Sequence, residues 1–129
     1  NIKVRSIVGN FLEHSRIFYF ENNDKPEFYC GSADWMPRNL ERRVEILFPV
    51  EQEDLKEKIW HILDTELLDN RKAHILMPDG SYIKTKQKGK VINSQSIFCK
   101  EAVKASKKPY TLEGEADFKV SRRFIPRKS

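Results

Sequence analysis

Cysteine is scarce in this chain. Cys30 and Cys99 are the only two among 129 residues, and no CxxC spacing joins them. That excludes a disulfide framework and a cysteine-ligated zinc site, and it reads as two reduced thiols in a cytoplasmic protein. Histidine is nearly as rare. His14, His61 and His74 show no metal-ligand spacing, so no residue is assigned to a metal. No apolar run approaches the length of a membrane span, and the first residues lack a signal-peptide pattern. Internal repeats are absent as well. The chain opens on Asn1-Ile2-Lys3-Val4 without an initiator Met. This predicts one domain over residues 1–129, a piece of a longer polypeptide that is incomplete at its N-terminus.

Charge is present in quantity but unevenly placed. Residues 1–83 carry 11 basic and 15 acidic side chains, a net of −4, whereas residues 84–129 carry 13 basic and 4 acidic, a net of +9. Such asymmetry fits a near-neutral body with a basic segment able to meet a polyanion, or simply a solvated lysine-rich end.

The hydrophobic pattern predicts an α/β domain. Lys3 to Val8 alternates and is β-branched, so it reads as a strand or as the entry to a short helix; the helical spacing of Ile7, Val8, Phe11 and Leu12 favours the helix, with Ser6 as its N-cap. Arg16 to Phe20 is apolar on both faces and reads as a central strand. Glu21 to Pro26 has turn composition, and Glu27 to Gly31 returns as the second strand of a hairpin. Ser32 to Arg42 reads as a loop with one helical turn, and Val44 to Phe48 as a third strand. These three strands are expected in one mixed sheet flanked by helices. Glu51 to Leu68 is the clearest helix, with Leu55, Ile59, Ile62, Leu63 and Leu67 on one stripe and acids in its first turn. Trp60 borders that stripe as a packing residue. Ala73 to Met77 reads as a strand or a helix end, Pro78-Asp79-Gly80 as a turn, and Ser81 to Thr85 as a short strand. Ser94 to Ser106 reads as a helix, and part of 107–129 is expected to be mobile.

The chemistry concentrates at His14 and Arg16. If both lie at the start of the 16–20 strand, their side chains leave one face together. An imidazole titrates near neutrality, and a guanidinium offers a planar fork of donors to phosphate oxygens. The pair is half of a plausible phosphoryl-transfer site. Arg16 could equally pair with Glu13 or Glu45, and Ser32 and Asp34 could simply cap the turn that follows. Arg42 and Arg43 are adjacent, so on a strand edge only one of them would line a groove.

The spacing His14-x-Arg16-x4-Glu21, followed by Gly31-Ser32, resembles the HxK-x4-D…GS motif of the phospholipase D superfamily. Arg replaces Lys, Glu replaces Asp, and the gap before Gly-Ser is longer. Longer blocks are more specific. Ser6-Ile7-Val8-Gly9, Phe11-Leu12-Glu13-His14-Ser15-Arg16 and the run from Ser32 through Asp34-Trp35-Met36-Pro37-Arg38-Asn39 to Glu45 resemble the C-terminal region of bacterial polyphosphate kinase. The resemblance is dense over residues 2–69 and thin beyond Asp79.

That resemblance implies a phospholipase D-like domain. It also implies an enzyme that reversibly moves the terminal phosphate of ATP onto polyphosphate, with Mg²⁺, through a phosphohistidine in the preceding domain. His14 would contact nucleotide phosphates and exchange a proton there. Arg16, Ser32, Asp34 and Arg38 would bind or line the phosphate site, with Arg42 and Arg43 extending a basic path. The implied partners are ATP and ADP, polyphosphate, and upstream domains of the same polypeptide in a homo-oligomer, with no nucleic acid. The implied location is the cytoplasm, with a peripheral position at the inner membrane as the alternative, though nothing in the sequence itself indicates membrane association. The fragment by itself is expected to be inactive. Two other readings compete: half of a phospholipase D-like phosphodiesterase or nuclease, and a non-catalytic polyanion-binding module.

Overall fold

The computed structural model describes residues 1–86 and 89–107. The expected mobility of 107–129, and most of the basic segment, therefore concern residues outside those described. Nine elements follow one another: β1 (Arg5–Ile7), β2 (Ile17–Phe20), β3 (Glu27–Gly31), α1 (Pro37–Arg42), β4 (Leu47–Pro49), α2 (Glu53–Leu67), β5 (Ala73–Leu76), β6 (Tyr82–Lys84) and α3 (Ser94–Ser106). The α/β composition is as expected. The three strands expected in one sheet do share one, ordered β2-β3-β4, but it is antiparallel and not mixed; a second three-stranded sheet is ordered β1-β5-β6, and every pairing is antiparallel. Two of those pairings, β2-β3 and β5-β6, are joined by short turns, which can only close antiparallel neighbours.

The turns carry the residues that their geometry needs. Asn22, Asn23 and Asp24 all adopt left-handed φ values of 44°, 53° and 62°, and Asn and Asp tolerate that region best among residues with a side chain. Gly80, at φ 83°, closes the β5-β6 turn, where Asp79 Oδ1 accepts from the Ser81 N–H and hydroxyl.

The Ser6–Leu12 stretch is not helical. Residues 5–7 are strand β1, with Arg5 opposite Ile75 and Ile7 opposite Ala73. A ladder partner from the far end of the chain overrides the local spacing. The third strand also lies later than expected, at 47–49. Arg42 ends α1 and Arg43 is its extended C-cap, so neither sits on a strand edge.

Helix α2 joins the two sheets. Glu53 and Asp54 sit in its first turn, favourable for the helix dipole. Lys56 and Lys58 pair with them at 2.7 and 3.4 Å on the solvent side. Trp60 packs against Tyr19 and Phe28, with ring centroids 4.9 and 6.3 Å away, and Phe28 is one of two buried apolar residues among those described. Ala73 is the other, at the centre of the first sheet. Many other apolar residues are half-buried, and several stay exposed, including Trp35 at 82 % and Val44 at 100 %. No described helix is long and apolar enough to cross a membrane.

Helix α3 is anchored at its start by Asp69, which is fully buried. Its Oδ2 accepts from the Ser94 N–H at 2.8 Å and the Ser94 hydroxyl at 3.1 Å. Its Oδ1 accepts from the Arg71 and Lys72 N–H groups at 2.9 and 2.7 Å. Burial by itself would raise the Asp69 pKa, but these hydrogen bonds outweigh it and hold the carboxyl below its ordinary value. Asn93 completes the cap by accepting from Ser96 N.

Candidate functional site

Strand β2 begins at Ile17, so His14 and Arg16 both lie on the loop that feeds it. The expectation that they project from one strand face is therefore not met: the ladder pairing starts at Ile17, and ahead of it only the Arg16 carbonyl meets β3, accepting from the Gly31 N–H at 3.0 Å. What unites them is different. Arg16 Nη1 donates to the His14 carbonyl at 2.7 Å. Its Nε and Nη2 both reach Asp34 Oδ1, at 2.8 and 2.7 Å. Asp34, not Glu13 or Glu45, is the partner of Arg16. Nε and Nη1 each donate a hydrogen bond and Nη2 adds an ion-pair contact, so each terminal nitrogen keeps at least one N–H with no partner among the described residues. The guanidinium is fixed as a fork while keeping donors to spare. The His14 side chain is exposed and makes no hydrogen bond or ion pair among the described residues.

Ser32 is engaged locally. Its hydroxyl donates to Glu45 and accepts from Ile46 N at 3.0 Å, which ties the end of β3 to the approach to β4. Gly31 is the last residue of β3 and not part of a phosphate-cradling turn. A Cβ there would lie 3.3 Å from the Ile46 carbonyl and from Leu47, so its smallness serves strand packing. Arg38 is exposed on α1, away from any ion pair among the described residues. The structure therefore brings His14, Arg16 and Asp34 together, holds Ser32 in a second cluster with Glu45, and leaves Arg38 separate.

A groove of ≈ 330 Å³ is lined by Phe18, Trp35, Leu40, Leu47 and neighbours, with Glu45 its single charged wall. Neither His14 nor Arg16 lines it. Its chemistry suits an apolar occupant and not phosphate.

The loop from Gly9 to Ser15 makes no backbone–backbone hydrogen bond among the described residues. Two distant side chains hold it instead. Gln95, at the start of α3, bonds Asn10, Phe11 and Glu13. Glu66 of α2 meets Glu13 carboxyl to carboxyl. Burial, then the hydrogen bond that protonated Glu66 donates to Glu13, then the Glu13 charge, push Glu66 up to about 7. The sequence reading missed Gln95, Glu66 and Asp69. The usable signal was polarity at helix ends facing inward, which composition does not distinguish from a solvated end.

The raised Glu66 pKa has a testable sign. Between about 4.3, the unfolded value, and about 7 the native state holds a proton that the unfolded chain has released, so stability falls as pH rises through that window. Replacing Glu66 with Gln removes the fall. The melting temperature of Glu66→Gln, relative to the parent, is expected to climb from pH 4.5 to 7.5; a pH-independent difference would contradict the shared proton.

The Mg²⁺ implied by the resemblance is expected mainly with other domains, and no residue here is assigned to it. No cluster of three or more His, Cys, Asp or Glu able to hold a metal exists among the described residues. Asp34 and Glu45 are bonded to Arg16 and Ser32. No step is assigned to a metal held by this domain.

Comparison with known proteins places this geometry. The family model described as "Polyphosphate kinase C-terminal domain 2" matches residues 1–95. A polyphosphate kinase from Synechocystis sp. is 51% identical over 105 residues, covering 80% of this chain and 14% of the relative. One from Lactiplantibacillus plantarum is 46% identical over 108 residues, covering 83% and 15%. The crystal structure of polyphosphate kinase from Porphyromonas gingivalis superposes with a TM-score of 0.73 at 37% identity, covering 81% of this chain and 16% of that one. The chain thus spans about one seventh of the length of the relatives it matches.

Proposed function

The chain belongs to the polyphosphate kinase C-terminal domain 2 family, and from that premise we propose that it forms one wall of a site where phosphate passes between ATP and polyphosphate. The observation that carries this reading is Arg16. Its guanidinium is locked between Asp34 and the His14 carbonyl, yet retains one N–H on each terminal nitrogen. A fork braced in this way binds phosphate oxygens without first having to be ordered.

In this reading the domain is phospholipase D-like and acts with the rest of a longer polypeptide. Two displacements make up the reaction. In the first, a histidine in another domain attacks the terminal phosphorus of ATP, a P–N bond forms, and the bond to the leaving ADP oxygen breaks. In the second, the end of a polyphosphate chain takes the phosphoryl group from that histidine. Charge accumulates on the leaving oxygen in the first step. His14 donates a hydrogen bond or proton to that oxygen, and Arg16 neutralises the flanking oxygens. Asp34 orients Arg16 and does not touch phosphate. Arg38 belongs to the path of the polyphosphate chain, and Ser32 keeps the 31–35 segment in place. The enzyme works as a homo-oligomer in the cytoplasm.

The test is Arg16→Gln in the full-length enzyme. Loss of charged hydrogen bonds worth about 1.5–3 kcal/mol predicts a KM for ATP roughly 10- to 100-fold higher. An unchanged KM and kcat would overturn the assignment of Arg16. Turnover of bis-nitrophenyl phosphate by the same enzyme would favour a phosphodiesterase instead.

A further inference from the structure

We infer that Gln95 is a positioning residue for His14, acting from the other end of the chain through the loop that carries it. This rests on the role proposed for His14. The Gln95 side chain is 8 % exposed, and its carboxamide is saturated. Oε1 accepts from the Asn10 N–H at 2.7 Å and the Phe11 N–H at 3.2 Å. Nε2 donates to the Phe11 carbonyl and to Glu13 Oε1, both at 2.8 Å. Two acceptor sites and two donors are all that a glutamine amide has. The two N–H groups facing Oε1 also fix which way round the amide lies.

The loop is pressed against this amide. A Cβ on Gly9 would come within 2.1 Å of Gln95 Oε1 and 2.6 Å of Nε2, so any larger residue there would push the amide off its bonds to the loop. With no backbone–backbone bonds of its own from Gly9 to Ser15, the loop takes its shape from Gln95 on one side of His14 and from Arg16 on the other.

The amide is itself rigidly delivered. Ser94, its neighbour, is fully buried and bonded twice to Asp69. The chain of support therefore runs from Asp69 to the first turn of α3, to the Gln95 amide, to residues 10–13, and so to the imidazole. Gln95 touches no reacting group in this scheme. It removes conformational freedom from a loop that must hold a proton donor in place, where a displacement of about 1 Å can cost about a hundredfold in rate.

A double-mutant cycle in the full-length enzyme tests this. Gln95→Leu removes all four bonds at similar volume. Gln95→Glu keeps the two acceptor contacts but turns the donor end into an oxygen facing the Phe11 carbonyl and the Glu13 carboxyl, and it serves if the leucine variant does not fold. Each is assayed for ATP-dependent polyphosphate synthesis alone and together with His14→Ala. The expected result is a kcat at least tenfold lower for both Gln95→Leu and Gln95→Glu, and no further loss from either when His14 is already alanine. If the losses multiply instead, Gln95 supports the fold and not the histidine; the inference falls while the proposed function stands. Parent-like rates for both Gln95 variants overturn the inference as well. A parent-like rate for His14→Ala alone overturns the proposed function, and this inference with it.

Discussion

His14→Ala in the full-length enzyme is expected to lose 10²- to 10⁴-fold in the rate of ATP-dependent polyphosphate synthesis, the usual contribution of a positioned acid or base. The loss should appear without loss of fold. The imidazole is exposed and bonded to nothing among the described residues, and truncation of such a side chain changes stability by about 0.5 kcal/mol or less. The contact that braces this position is with the His14 carbonyl, which alanine retains. A large drop in kcat beside an unchanged melting temperature is therefore the signature to seek. A parent-like rate would mean that this exposed histidine plays no part in the chemistry.

Asp69→Ala is expected to be the most damaging structural change. It strips the partner from four donors at once: the N–H groups of Arg71, Lys72 and Ser94, and the Ser94 hydroxyl. Buried donors bonded to a charged acceptor cost about 1–3 kcal/mol each when left unpaired, so a net loss of about 3 kcal/mol or more is expected. Asp69→Asn should cost less but not nothing. Its amide oxygen still serves Arg71 and Lys72, while its NH₂ opposes the Ser94 N–H. The lowered pKa of the Asp69 carboxyl adds a pH signature. Its stabilisation is complete above the ordinary carboxylate range and disappears as pH falls through the lower folded value. Hydrogen exchange across residues 69–76 and 92–100 of the full-length protein measures the effect. Protection lost in both segments together is the expected outcome, and unaltered exchange near Ser94 would contradict the anchoring role.

What the sequence discloses follows from how local each signal is. Helix α3 is legible because the apolar positions that mark it lie within its own span, and α2 because its apolar stripe and its first-turn acids do. The Pro78-Asp79-Gly80 turn announces the β5-β6 hairpin. Strand β1 is only half legible: the alternation of Lys3 to Val8 allows a strand, but the helical spacing that follows competes with it, and the partner that decides, β5, lies far along the chain. The candidate site divides in the same way. His14 and Arg16 stand out by residue type, and Asp34 by its place in a long family-like block. The ion pair between Arg16 and Asp34 depends on how residues 31–35 turn after β3, which no local pattern specifies. Gln95 and Glu66 are invisible for the same reason: each reads as an ordinary polar residue on a helix until the loop it meets is seen in space.

A crystal structure of the full-length enzyme with a non-hydrolysable ATP analogue measures the decisive quantity, the separation between the His14 imidazole and the nucleotide phosphates. With the loop clamped by Gln95 and braced by Arg16, a ring nitrogen of His14 should lie within about 3 Å of a phosphate oxygen, with an Arg16 N–H on another. An analogue bound with its phosphates out of reach of both side chains would contradict the assignment of this domain to the transfer site.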